Sequence, residues 1–417
     1  MNNNLIKKID NLYYYQTDEF ATIKIKHFFK FEKNTKNFII ASILAEYMQQ
    51  TNAIYKTAKR INDTEKKLYG SCFSICNDTK GTKGFISFNL TMVDETIVDE
   101  HFFTSSIKYF KNMLLKPNFA NESLDSNIFE QIKKDLISRT KNKEKNPDSF
   151  QKNLFYRHLL PNSDFINKRF NCDELESILE TLTDKDVIDF YHTLLNNYIT
   201  SYAFGNLSDD KIKYIAKSFK FNPIKFDYQY AKKEEITNDY KVIKSNDTTQ
   251  TYLYVVYDIK NYHVDNSYIY HALMPMFNSM GGICHEILRD KLGLVYFSYA
   301  DVLINRGLFF ISAQIDKKNI DKALKGIDSL FEELKKPEKL SKLLTFSQEK
   351  YRQELYTNTE ILASNLTNIE RFIFKDDYMK KELVDKINSL TSANILRQIE
   401  EFEKKYIFIY EGEKDEN

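Results

Sequence analysis

The sequence predicts an α+β protein of two duplicated domains, each a mainly antiparallel sheet flanked by helices. Three observations predict it: helical and strand-like patterns alternate along the whole chain, one pair of strands is joined by hairpin chemistry, and the order of elements occurs twice. The length of 417 residues suits two domains of about 200 residues each.

Strand-like runs rich in β-branched and aromatic residues lie at Ala21 to Phe29, Ser71 to Cys76, Phe85 to Thr91, Thr200 to Phe204, Thr251 to Ile259, Leu294 to Ala300, Leu308 to Ile315 and Tyr406 to Tyr410. Between the second and third of these, Asn77 to Gly84 carries turn residues that favour an antiparallel hairpin over a parallel crossover. Ile40, Ile43, Leu44, Tyr47 and Met48 mark the buried face of an amphipathic helix. Ile320, Ala323, Leu324, Ile327, Leu330, Phe331 and Leu334 mark another, closed by Pro337.

The repetition appears in two places. Cys72-Phe73-Ser74 followed by Gly84 to Leu90 mirrors Tyr296-Phe297-Ser298 followed by Gly307 to Ala313. Leu182-Thr183, an amphipathic helix, a strand and Gly205 mirror Leu390-Thr391, a helix, a strand and Gly412. The polar segment from Asn222 to Gln250, with Pro223 and the run Lys232-Lys233-Glu234-Glu235, reads as a linker. The expected division is therefore 1–221, a linker at 222–250, and 251–417. Two unrelated domains with similar punctuation are the alternative.

Lys plus Arg (60) nearly balances Asp plus Glu (59), which gives no long-range attraction for nucleic acid or an anionic membrane. The four cysteines do not form a zinc-site grouping or a disulfide framework, and Cys72 and Cys76 read as small buried strand residues. The N-terminus has no apolar signal region and no stretch is long enough to span a membrane, so a cytoplasmic location is expected.

One segment carries chemistry. Phe277-Asn278-Ser279-Met280-Gly281-Gly282 leads into Ile283 to Tyr296. It reads as a glycine turn, a short helix burying Ile283, Ile287 and Leu288, a stop at Gly293, and an emerging strand. Arg289 then falls near the helix end and Tyr296 on the strand.

This segment resembles the second-domain signature of the pitrilysin/insulinase zinc peptidases, in which a glycine pair, a helix, Arg, Lys, Leu-Gly-Leu and Tyr follow in this order. The resemblance implies a duplicated fold like that of LuxS and mitochondrial processing peptidase over essentially the whole chain. It also implies that Arg289 and Tyr296 position substrate and stabilise the developing oxyanion, with Gly281 and Gly282 forming the glycine turn.

Catalytic members of that family carry His-x-x-Glu-His early in the first domain. The segment placed to match is Ile43-Leu44-Ala45-Glu46-Tyr47. Glu46 stands at the general-base position, but Ile43 and Tyr47 replace both histidines, and neither is a zinc ligand here. The third, glutamate ligand has only Asp135 as a poor counterpart. No metal is therefore expected on this chain.

The resemblance implies a non-catalytic, substrate-binding subunit paired with a zinc-bearing family member, which supplies the zinc, and acting on a peptide or unfolded polypeptide. In layout, Leu68-Tyr69-Gly70-Ser71 before a strand is similar to bacterial insulinase-like proteins associated with elongation factor P modification or bacteriocin maturation. The alternative is a peptide-binding or scaffold protein with the same fold and no role in proteolysis.

Overall fold

The computed structural model describes residues 5–98, 100–357 and 361–413. They form two compact units, and neither is continuous in sequence. The first comprises the chain up to Glu144 with Asn167–Gln229 and Asn365–Asp376; the second comprises Lys145–Ile166, Tyr230–Ser364 and the chain from Asp377 onward.

The first unit is built on six strands: β1 (Lys7–Ile9), β2 (Leu12–Gln16), β3 (Thr22–Phe31), β4 (Cys72–Lys80), β5 (Lys83–Val93) and β6 (Tyr198–Gly205), in the order β1-β2-β6-β3-β5-β4. All neighbours are antiparallel except β2 and β6. The expected hairpin is β4–β5, closed by Gly81-Thr82 between the paired Lys80 and Lys83. Gly81 has φ +57°, and the carbonyl of Gln229 occupies the place a Cβ would take, so glycine is required twice over.

One face of this sheet carries helices, among them Thr35–Gln50, Phe103–Leu115 and Ser126–Glu144, over a core that includes Ile39, Ile43, Leu44, Phe88 and Phe110. Asn34 caps the first of these helices by accepting from the Asn37 N–H (2.8 Å). The opposite face is covered by the segment Asn365–Asp376. Its Phe374 ring meets Phe28 and Phe85 edge-on at 4.9 and 5.4 Å. Glu370 pairs with Lys26 (2.7 Å) and Asp376 with Lys80 (2.9 Å). Burying one such ring contributes about 1.5–3 kcal/mol.

The second unit has five strands: β7 (Asp239–Ser245), β8 (Thr251–Ile259), β9 (Val295–Leu303), β10 (Leu308–Ile315) and β11 (Phe402–Gly412), in the order β7-β11-β8-β10-β9. Only β7 and β11 run parallel. This repeats the order β2-β6-β3-β5-β4 strand for strand, so the duplication read from the sequence is real at the level of topology. The repeated Leu-Thr pairs have one function in both units: Thr183 and Thr391 each cap a helix through a reciprocal capping box, and the helix delivers the chain to β6 or β11.

Helices Ser267–Asn278, Ile320–Leu334, Pro337–Thr357, Lys380–Asn388 and Ser392–Glu400 contribute to the core on one face of this sheet. Pro337 does not merely follow the Ile320–Leu334 helix; it opens the next one, where its missing N–H costs nothing. The other face is closed by the helix Pro147–Leu159, whose Phe155 stacks on Tyr254 at 4.0 Å and also meets Phe310 and Phe408. Buried Arg306 fixes the chain beyond this helix by pairing with Asp164 and with Glu234 (2.7 Å).

Each sheet thus has one face closed by a segment from the other half of the sequence. Strand β7 falls in the segment read as linker. There Asp239, Lys241, Lys244 and Ser245 are mixed with Tyr240, Val242 and Ile243, and no residue of the strand is fully buried, so the apolar signal is weak. Among the described residues, no helix is long and apolar enough to cross a membrane.

Candidate functional site

The positions matching the zinc motif lie on the helix Thr35–Gln50, and the structure seals them. Ile43 and Tyr47 are fully buried, both within the first unit's core. The Tyr47 hydroxyl donates to the Asn118 carbonyl (2.8 Å) and accepts from the Asp125 N–H (2.9 Å). It therefore ties the helix to the loop that leads into Ser126–Glu144. Burial pushes the phenol above its ordinary value, so it stays protonated and neutral.

Glu46 faces Ser126–Glu144 and forms an ion pair with Arg139 there. A guanidinium thus meets the carboxylate at the general-base position. Asp135, one turn earlier, accepts from Gln131 (2.8 Å). Ile43 has no donor atom, the Tyr47 oxygen is committed to two backbone groups, and Glu46 is paired. This donor set does not fit zinc. Among the described residues, no group of three or more His, Cys, Asp or Glu side chains is placed to share a metal ion.

Histidine and cysteine do little elsewhere. His27, on β3, is buried against Phe110 and Phe219 and bonds Ser201 through Nδ1. Burial lowers its pKa to about 3. Cys284 is buried, and burial raises its thiol to about 12. Cys72 and Cys76 differ from the expectation: both are exposed on the edge strand β4. Alternation explains it, since Phe73 and Ile75 take the core face of β4 and Cys72 and Cys76 fall on the opposite one.

The Arg/Tyr segment belongs to the second unit and is irregular throughout. Ser279–Gly282 is a turn closed by Gly282 N–H to the Ser279 carbonyl (2.7 Å). A Cβ on Gly282 would lie 2.6 Å from the Phe277 carbonyl oxygen, whereas Gly281 stands in open space. Gly282 is thus a packing requirement and Gly281 is not. The expected helix is a π-helix, His285–Lys291, with Ile287 and Leu288 buried and Arg289 exposed. π-turns are rare and are frequently found at functional positions. Gly293, with φ +59°, ends it by donating to the Arg289 carbonyl (3.0 Å).

Several contacts hold this turn in place. Glu286 pairs with Lys291 (3.0 Å) and with Lys339 on the Pro337–Thr357 helix. Gly326, on the Ile320–Leu334 helix, lets Leu288 and Leu292 approach so closely that a Cβ would meet them at 2.9 and 3.0 Å.

Tyr296 is the second residue of β9, and the pairing explains why it is displayed. Phe297 pairs with Gln314 and Val295 with Ile315, which leaves Tyr296 as the extra residue of a β-bulge. Without it, alternation would bring Tyr296 to the core face and turn Val295 away. With it, Val295 enters the core while Tyr296 and Phe297 are 57% and 59% exposed. The Tyr296 hydroxyl donates to Asp316 (2.9 Å). Because β9 packs directly on the π-helix, the Arg289 turn and the start of the Tyr296 strand share one region of the second unit.

Sequence reasoning placed Arg289, Tyr296, Gly281 and Gly282 in this region but missed Asp316, Glu286, Gly326 and Asn278. Asn278 ends the helix Ser267–Asn278, and its side chain donates to the Ala300 carbonyl (2.8 Å) and accepts from the Ala300 N–H (2.7 Å). An asparagine shortly before a glycine pair carries no such signal in sequence.

Residues 181–343 match the family model described as the peptidase M16 inactive domain. No curated protein matches the sequence significantly. Among solved structures, a conserved protein from Enterococcus faecalis is similar over 97% of each chain at 16% identity, with a TM-score of 0.82. A Pseudomonas fluorescens structure described as a peptidase M16 inactive domain covers 97% of each chain at 14% identity (TM-score 0.72). A protease from Helicobacter pylori covers 96% of each at 13% (TM-score 0.74). The fold implied by the pitrilysin/insulinase resemblance therefore holds: the chain has the M16 peptidase fold, its residues 181–343 match the family's inactive domain, and the zinc-motif positions carry no histidine.

Proposed function

We propose that this chain is the non-catalytic, substrate-binding subunit of a two-chain zinc peptidase and contributes Arg289 and Tyr296 to an active site whose zinc is held by the partner. The observation that carries this reading is a contrast of treatment. The positions matching the zinc ligands, Ile43 and Tyr47, are absorbed into packed core, while the Arg/Tyr segment is displayed by a π-helix and a bulge, two irregularities frequent next to functional sites.

The chemistry suits the role. As water attacks a peptide carbonyl, charge grows on its oxygen, and a guanidinium and a phenol are donors whose bonds strengthen with that charge. In the free chain the Tyr296 proton is committed to Asp316. Engagement of substrate exchanges this acceptor for the peptide's oxygen, and the region between Arg289 and Tyr296 is exposed enough to receive an unfolded polypeptide.

The test is zinc content and cleavage of a reduced, carboxymethylated polypeptide by the purified chain, alone and mixed with a zinc-bearing homologue of the same organism. The expected result is no cleavage alone, cleavage on mixing, and a loss of about 100-fold in turnover for Arg289→Ala with unchanged assembly. Stoichiometric zinc with cleavage by this chain alone would overturn the reading. Unchanged cleavage by Arg289→Ala in a stable complex would leave a scaffold.

A further inference from the structure

We propose that the cavity walled by His27, Tyr198, Phe219 and Phe221 binds a small aromatic carboxylate that also carries a neutral carbonyl, with the carbonyl accepting from His27 and the carboxylate facing Lys217 and Lys220. All of these residues belong to the first unit, whereas Arg289 and Tyr296 belong to the second, so the inference stands apart from the composite active site.

The wall of this cavity contains a chain of hydrogen bonds whose protons can be assigned one by one. His27 on β3 and Ser201 on β6 are direct cross-strand partners. The Asn11 carbonyl accepts from the Ser201 N–H and from the Thr200 hydroxyl, both at 3.0 Å, which fills its two lone pairs. The Tyr198 hydroxyl lies 3.4 Å from that carbonyl but 2.6 Å from the Ser201 hydroxyl, so it donates to Ser201. Ser201 in turn donates to Nδ1 of His27. Burial holds the imidazole neutral, with its pKa lowered to about 3. A neutral ring with an accepting Nδ1 carries its proton on Nε2.

Among the described residues, none accepts from that Nε2–H, and the side chain is 1% exposed. A buried donor without an acceptor is destabilising, and a cavity with polar groups on its wall takes up an occupant, whereas empty cavities are apolar. This one has a volume of about 380 Å³. About 150 Å³ is enough for benzene, so there is room for a substituted ring. Buried Tyr198 and Phe219 and half-buried Phe221 supply flat apolar surface, joined by Leu12 and Ile215. Apolar walls with a few placed polar groups are usual for small-molecule sites of this size.

Charge decides which end of the ligand goes where. The buried imidazole is neutral, and a single neutral N–H does not offset the cost of burying a carboxylate, so the group it meets is an uncharged carbonyl. Lys217 and Lys220, at and beyond the end of the helix Asp209–Ser218, are exposed on the lining. Among the described residues, Asp10 is the one acidic side chain of the lining. Two cations against one anion favour an anionic outer group and disfavour a cationic ligand.

The test uses the full chain and para-acetylbenzoate, titrated by calorimetry, beside two analogues. Para-isopropylbenzoate keeps the shape and loses the acceptor; acetophenone loses the anion. Para-acetylbenzoate is expected to bind with a Kd of about 1 mM or tighter. Losing the acceptor should weaken binding about tenfold, and losing the anion about two- to fivefold. His27→Phe should match the first loss, and Lys217→Ala combined with Lys220→Ala the second. Nitrogen-15 NMR of the free chain should find the His27 proton on Nε2, and that resonance should shift more with para-acetylbenzoate than with para-isopropylbenzoate.

Four results would overturn the proposal. No binding of para-acetylbenzoate up to about 10 mM would leave the Nε2–H to an enclosed water. Equal affinity for para-acetylbenzoate and para-isopropylbenzoate would take the acceptor out of the site. Binding unchanged both in His27→Phe and in the double lysine variant would mark an adventitious additive only. A proton found on Nδ1 would break the chain of donors that runs from Tyr198 to His27. Should His27→Phe fail to fold, the two analogues and the double lysine variant, which alter no buried side chain, still decide.

Discussion

The helix Thr35–Gln50 and the π-helix His285–Lys291 each carry the residues by which the peptidase family would be recognised, and the protein treats them in opposite ways. In the first, Ile43 and Tyr47 are wholly buried and Glu46 is paired to Arg139. In the second, Arg289 is exposed on an irregular turn, and on the adjoining strand β9 Tyr296 is pushed out by a bulge. The comparison teaches that residues taken into a core and residues held out to solvent are set apart by the regularity of the backbone that carries them. Ile43 and Tyr47 are packed as core on a regular helix, whereas Arg289 and Tyr296 stand on backbone that departs from regular form.

Breaking the sealed side should cost the most. Tyr47→Ala removes a buried ring and two hydrogen bonds to the loop before Ser126–Glu144. It is expected to destabilise the chain by about 3–5 kcal/mol in urea unfolding. A cost below about 1 kcal/mol would mean that the region around Tyr47 is loosely packed and that the contrast is false.

Acid sharpens the same point at a second place in the first unit. His27 has its folded-state pKa lowered to about 3 by burial, against 6.5 for an unburied imidazole. Above about pH 6.5 neither state carries the proton, and the stability is fully present. As pH falls below that value the unfolded chain binds a proton the folded chain refuses, so stability drops by about 1.4 kcal/mol per pH unit until about pH 3. His27→Phe should flatten this slope, and an unchanged slope would assign it to other groups.

The smallest effect is expected on the open side. Arg289→Ala should change unfolding stability by no more than about 0.5 kcal/mol, because the guanidinium is exposed. A larger loss would make Arg289 a structural residue and remove the reason for assigning it to substrate.

Much of this was legible in the sequence, for reasons tied to particular residues. Strands β8 and β10 have the bounds the sequence suggests, Thr251–Ile259 and Leu308–Ile315, because nearly every residue of both is buried and the apolar runs are continuous. The duplication was legible because Thr183 and Thr391 cap equivalent helices. Strands β1, β2 and β7 were not, since they lie at or near sheet edges and mix polar with apolar residues. The segment around Arg289 was recognisable by the order of its residues, but its π-form and the bulge at Tyr296 depend on the neighbouring helices and on the register with β10. Neither leaves a local pattern.

The traded segments have a consequence for how such a chain can change over generations. The helix Pro147–Leu159 closes a face of the second sheet, and Asn365–Asp376 closes a face of the first. A fragment ending near the linker would leave Phe28 and Phe85 without Phe374, and one beginning there would leave Tyr254 and Phe310 without Phe155. Duplication can be reversed by deletion only while the copies remain self-sufficient. Once each has lent the other a wall, neither half can be discarded, and the chain has to be inherited whole.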